Sequence, residues 1–151
     1  MENLNFPTYR FRFKNNENKV RIFDLIRKKF VVLQPEEWVR QHVLHYLVLD
    51  KKYPKSHINV EKQLEVNKLK KRYDIVVYNM DGSIHLLIEC KAPKVPITKL
   101  VFDQMARYNM DLKATYLMVT NGLQHFYCQM DYVKKEYTFL ENLPAFIRYP
   151  K

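Results

Sequence analysis

The sequence predicts an α/β domain with a mixed sheet, an antiparallel meander plus a crossover strand, flanked by helices. Three observations carry this. A helical pattern from Pro35 to Asp50 comes first. Three alternating segments follow, Ile58 to Val66, Tyr73 to Tyr78 and Ile84 to Lys91, with Asp81-Gly82 between the last two. A second helical segment, Ile97 to Leu112, then leads into a strand pair around Asn121-Gly122.

In the first helix, proline suits the opening turn and Glu36-Glu37 favour its dipole, while Val39, Val43, Tyr46 and Leu47 recur at helical spacing. Lys51-Lys52 and Pro54 close it. Asp-Gly and Asn-Gly between apolar runs read as two-residue hairpin turns. Thr115 to Thr120 and Leu123 to Met130 form the second hairpin. The tail carrying Phe139, Leu140, Leu143, Phe146 and Ile147 reads as a closing helix or irregular segment. The 151 residues are expected to form one domain: a peripheral N-terminal hairpin over 1–33, a core over 34–130 and a C-terminal extension over 131–151.

Composition narrows the function. The chain has no apolar run of spanning length and no basic-then-apolar leader, so a cytoplasmic location is expected, with no membrane partner. Its only glycines, Gly82 and Gly122, cannot build a phosphate-cradling P-loop or a dinucleotide fingerprint, which excludes an ATPase motor in this chain. Cys90 and Cys128 lack zinc or disulfide spacing. His42 and His45, three apart on a helix, find no third metal ligand at matching spacing. The net charge of +10 points to a polyanionic partner, nucleic acid first, with a merely solvated basic surface as an equal alternative.

The run Ile84-His-Leu-Leu-Ile-Glu-Cys-Lys91 is an apolar strand that ends in charge. With Asp81 and Gly82 as the turn, Asp74 falls opposite Glu89, on the same face as Lys91, and His85 falls opposite Tyr78. Two neighbouring carboxylates repel unless a cation joins them. Two readings follow: Lys91 joins them as a plain salt link, or the group is a Mg²⁺ and phosphate site, since Mg²⁺ uses one or two carboxylates plus waters and phosphate oxygens. Glu36 and Glu37 offer a further carboxylate, and Gln104 and Tyr108 lie four apart on one helix face with Leu100. Lys68, Lys70, Lys71 and Arg72 form a basic cluster suited to a phosphate backbone.

Taken together, Asp74, the hairpin, Glu89-Cys90-Lys91, an upstream helical glutamate and Gln104-Met-Ala-Arg-Tyr108 resemble the PD-(D/E)XK nuclease superfamily, in its RecB-like branch. More narrowly, Pro35-Glu-Glu-Trp-Val-Arg-Gln41, Arg72-Tyr-Asp74, Glu89-Cys-Lys-Ala-Pro93 and Thr120-Asn-Gly122 resemble the N-terminal nuclease domain of type I restriction enzyme R subunits. Tyr73 stands where the superfamily's proline would be. The resemblance implies a restriction-endonuclease-like core and a Mg²⁺-dependent DNA endonuclease, with Mn²⁺ as a substitute. It implies Asp74, Glu89 and the Cys90 backbone carbonyl as metal ligands and Lys91 as the group that activates water and stabilises phosphate charge. Glu36, preferred here to Glu37, would complete the shell or position Lys91; Gln104 and Tyr108 would orient Lys91 or the phosphate. Restriction-modification subunits or a homodimer are the implied partners. A catalytically silent nucleic-acid-binding or assembly module with the same fold is the alternative.

Overall fold

Among the described residues, β-branched and aromatic side chains in alternating runs build nine strands in two sheets, and two α-helices cover the larger sheet. The computed structural model describes residues 1–146. The chain runs β1 (Phe13–Asn16), β2 (Lys19–Asp24), β3 (Lys29–Val32), α1 (Pro35–His45), β4 (Ile58–Val66), β5 (Leu69–Tyr78), β6 (Ile84–Cys90), α2 (Lys99–Tyr108), β7 (Tyr116–Thr120), β8 (His125–Asp131) and β9 (Glu136–Leu140). The first three strands form a small antiparallel sheet, where the sequence suggests only a hairpin. The other six form one sheet in the order β4-β5-β6-β7-β8-β9. It is antiparallel except between β6 and β7, which α2 connects as the crossover.

α1 ends one turn before the predicted Asp50: Tyr46–Asp50 widens into a π-helical turn. α2 is shorter than the predicted 97–112; Thr98 caps it by accepting the Val101 amide, and a 3₁₀ turn over Asn109–Leu112 finishes it. The tail expectation is corrected in part, because Glu136–Leu140 is a strand on the sheet edge and not a helix. Ile147 lies outside the described residues.

The sheet has a core on each face. Val39, Val43 and Leu44 of α1, with Leu47 of the π-helical turn that follows, pack on Ile75, Val77, Leu86, Ile88 and Met118. Phe102 and Ala106 of α2 pack on Val76, Leu87, Leu117, Val119 and Cys128.

Two irregularities shape the β5–β6 hairpin. The turn holds three residues, not two: Asn79 N–H donates to the Ser83 carbonyl, and Gly82 adopts φ +89°, which its lack of Cβ permits. That extra residue alone would slide β6 by one position. A bulge restores it: Val77 pairs with Leu86 but Tyr78 pairs with Ile84, leaving His85 unpaired. Ile75 therefore still meets Ile88, and Asp74 comes level with Glu89. His85, expected opposite Tyr78, is instead buried beside Tyr53, Tyr116 and Phe146.

A second departure lies at Asp74 itself. Ile58, Val60, Ile75 and Val77 belong to the α1-side core, whereas Leu64, Val66 and Tyr73 belong to the α2-side core. Both strands thus invert their facing across the level of Glu61 and Asp74, and Glu61 takes a left-handed φ of +54° within β4. Simple alternation is broken where the polar residues sit. Among the described residues no helix is long and apolar enough to cross a membrane.

Candidate active site

The inversion puts the Asp74 carboxylate at a seam between the two faces. Its Oδ2 accepts the Cys90 amide at 2.8 Å, in place of a further rung of the β5–β6 ladder. Its Oδ1 accepts from Arg40 Nη2 of α1, also at 2.8 Å. From the next strand, Glu89 approaches the same seam. It is buried, and burial together with the Asp74 charge pushes its carboxyl up to about 7. Glu89 Oε1 has no hydrogen-bond partner; Lys71 Nζ, at 3.6 Å, supplies charge without a hydrogen bond.

Lys91 follows directly after β6, anchored by its amide on the Thr120 carbonyl at 2.8 Å. Its ammonium is close enough to Glu89 and Glu36 to favour ionisation of both. Glu36 stands at the mouth with half its side chain exposed, bridged to Asp74 by Arg40, whose Nη2 is 3.6 Å from Glu36 Oε1. Burial first, then Asp74, raise the Glu36 pKa. Glu37 points elsewhere. It binds Arg40 at 2.9 Å, Gln41 at 3.0 Å and Arg27 at 3.1 Å. The choice of Glu36 over Glu37 therefore concerns two different places: Glu36 faces Asp74 and Lys91, Glu37 an arginine network.

The network reaches back to the N-terminal sheet. Asp24, fully buried at the end of β2, accepts from Arg27 Nε at 2.7 Å and from Gln41 at 2.9 Å. Arg27 then reaches Glu37 and, at 3.3 Å, Glu61. The residues before Leu33 are thus part of the wall of this site, not only a peripheral hairpin. Arg40, Glu61, Arg27 and Asp24 all escape the sequence reading. Arg40 follows Glu36 and Glu37 at i+4 and i+3, a pattern that ordinarily marks a surface ion pair. Nothing in sequence signals a left-handed glutamate within a strand.

Of the remaining predicted residues, Tyr108 comes to the edge of the site and Gln104 does not join it. The Lys71 ammonium lies 4.7 Å from the Tyr73 ring centre and 5.1 Å from that of Tyr108, placing both rings beside Glu89. Gln104 is exposed one turn earlier and, among the described residues, makes no side-chain hydrogen bond. Leu100, taken as sharing that face, is 67% exposed. Lys68, Lys70 and Arg72 are exposed along the β4–β5 arm, whereas Lys71 leaves that row and turns into the site.

Among the described residues, no three His, Cys, Asp or Glu side chains converge as a ready-made metal cage. Asp74 and Glu89 remain as two carboxylates from neighbouring strands. Two carboxylates suit a hard cation that keeps much of its hydration, and do not suit structural zinc.

A family model described as "Type I restriction enzyme R protein N terminus (HSDR_N)" matches residues 35–144. A comparison with curated proteins finds no match.

Proposed function

We propose, from the premise that this chain belongs to the family of type I restriction enzyme R protein N-termini, that it hydrolyses DNA phosphodiester bonds with a divalent metal at Asp74 and Glu89. One observation carries the reading: an orphaned, buried Glu89 oxygen beside a second carboxylate from the neighbouring strand. A buried carboxylate held partly protonated near neutrality is short of positive charge. Mg²⁺, or Mn²⁺ in its place, fits that deficit through Asp74, Glu89 and the Cys90 carbonyl. When bound, such an ion supplies Lewis acidity and lowers the pKa of a coordinated water.

The chain's own residues have separate tasks. Lys91, fixed by its amide to Thr120, offers a charged donor to the scissile phosphate and to the attacking water. Glu36 at the mouth, near Lys91, holds that ammonium in place. Lys71 limits the rise of the Glu89 pKa. Tyr108 orients the substrate phosphate at the rim. Lys68, Lys70 and Arg72 line the approach and neutralise backbone phosphates. Further restriction-modification subunits, or a second copy of this chain, would supply sequence choice and a cut on the other strand.

The test is plasmid nicking with Mg²⁺ against EDTA. Asp74→Asn and Lys91→Ala are expected to lose nicking; equal nicking by Lys91→Ala and the parent would overturn the assignment. A second reading, a silent DNA-binding or assembly module, is favoured by one observation: a guanidinium already occupies Asp74 Oδ1. That reading requires salt-sensitive DNA binding with no cleavage and no heat of metal binding.

A further inference from the structure

The acidic wall of the site encloses Arg40. Its side chain is only 8% exposed, and four carboxylates surround its head: Asp74 at 2.8 Å, Glu37 at 2.9 Å, Glu61 at 3.5 Å and Glu36 at 3.6 Å. Glu37 and Glu61 are held from behind by Arg27, itself fixed on buried Asp24. A surface arginine that fell here by chance would lack such a built socket. Glu61 enters it from a left-handed backbone position, a strained conformation for a non-glycine residue.

We propose that Arg40 is the resident counter-cation of the carboxylate site and antagonises a divalent ion at Asp74. The inference rests on the metal-dependent nuclease reading. A guanidinium stays charged at every working pH, so it cannot yield to a second cation by losing a proton. It yields by moving or by weakening the newcomer's hold. Space exists for the movement: a cavity of about 390 Å³ lined by Gln34, Glu36, Glu37 and Glu61 opens beside the Arg40 head. With a metal held at Asp74, the Arg40 guanidinium would give up its Nη2 contact there and keep its glutamate partners as it withdraws. In the metal-free protein Arg40 prevents four carboxylates from repelling one another; in the loaded protein it keeps affinity moderate and leaves a cation beside the phosphate.

The experiment titrates Mn²⁺ and Mg²⁺ into the full metal-free chain by calorimetry, for the parent, Arg40→Met and Arg40→Lys. Arg40→Met is expected to bind Mn²⁺ roughly tenfold more tightly, with Arg40→Lys close to the parent. Thermal melts add a readout independent of cleavage: Arg40→Met melts below the parent in EDTA and regains more than the parent does when Mn²⁺ is added. Should Arg40→Met not fold, the ¹⁵N-labelled parent serves; Mg²⁺ is expected to move the Arg40 Nε–H resonance, and an unmoved resonance at saturating Mg²⁺ overturns the proposal. Equal or weaker Mn²⁺ binding by Arg40→Met than by the parent overturns the antagonism and leaves the nuclease reading standing. Tighter binding by Arg40→Met with no cleavage by either protein sinks the nuclease reading and keeps the antagonism. Absence of metal binding in both defeats both.

Discussion

Lys71 Nζ lies 3.6 Å from Glu89 Oε1 and faces the rings of Tyr73 and Tyr108, so a lysine from the basic arm reaches the carboxylate pair. Its neighbours Lys70 and Arg72 remain outside, exposed on the same strand. Removing each should therefore do different things. Lys71→Met takes a stabilising charge from Glu89, whose carboxyl then rises further. The acid limb of the cleavage pH profile should move up by about one pH unit. Single-turnover rates across pH at fixed Mg²⁺ check this; an unmoved limb would separate Lys71 from the chemistry.

Lys70→Ala and Arg72→Ala should leave that profile where it is. Each is expected instead to lower the salt dependence of DNA binding by about one unit of slope. Fluorescence anisotropy on a labelled duplex at several salt concentrations measures it, and unchanged slopes in both variants would take the arm out of the interface.

Glu89 also leaves a mark on stability. Its folded pKa, about 7, lies above its unfolded value because burial and Asp74 oppose its charge. Between these two values the folded state binds the extra proton, so stability falls as pH rises through that window. Glu89→Gln removes this loss. In metal-free buffer the variant should exceed the parent by on the order of 1 kcal/mol at pH 8, with the gain shrinking toward pH 5. Urea unfolding at both pH values decides; a gain that is larger at pH 5 contradicts the direction.

Asp24 behaves in the opposite sense. Burial pushes its carboxyl up, but hydrogen bonds from Arg27 and Gln41 outweigh that and hold it below its ordinary value. Its contribution is therefore complete above the unfolded pKa and is lost as pH falls through the folded one. Asp24→Ala leaves Arg27 without its anchor and should cost about 3–5 kcal/mol at pH 7. Urea unfolding at pH 7 measures it, and a loss below 1 kcal/mol would show that the network contributes little.

Gly122 tests how the N-terminal segment is seated. It holds φ +87°, and a Cβ there would meet the Leu4 side chain at 2.9 Å and Val39 at 3.1 Å. Gly122→Ala should lower the melting temperature by several degrees, about 1–2 kcal/mol. Leu4→Ala should relieve part of it, and a strictly additive double mutant would rule out the contact as the cause.

Much of the sheet was legible because its apolar runs are long and their turns carry Asn-Gly or Asp-Gly. β9 was not, since Lys134-Lys135-Glu136 reads as a solvated break and only Tyr137 and Leu140 of the strand are half-buried. The level of Asp74 and Glu89 was read through two compensating errors, a turn one residue too short and a missed bulge at His85. The acidic socket was illegible in principle: Arg40 and Glu61 are far apart in sequence, and their meeting depends on an inversion of strand facing that no alternation pattern contains.

The paired turn and bulge of the β5–β6 hairpin have an evolutionary consequence. A deletion at Met80 alone, or at His85 alone, would move every later side chain of β6 to the other side of the sheet and draw Glu89 away from its partner. Losing both together would leave the charged end of the strand, Glu89 and Lys91, untouched. Length variation in this hairpin is therefore tolerated only in matched pairs, one residue at the tip for one at the bulge.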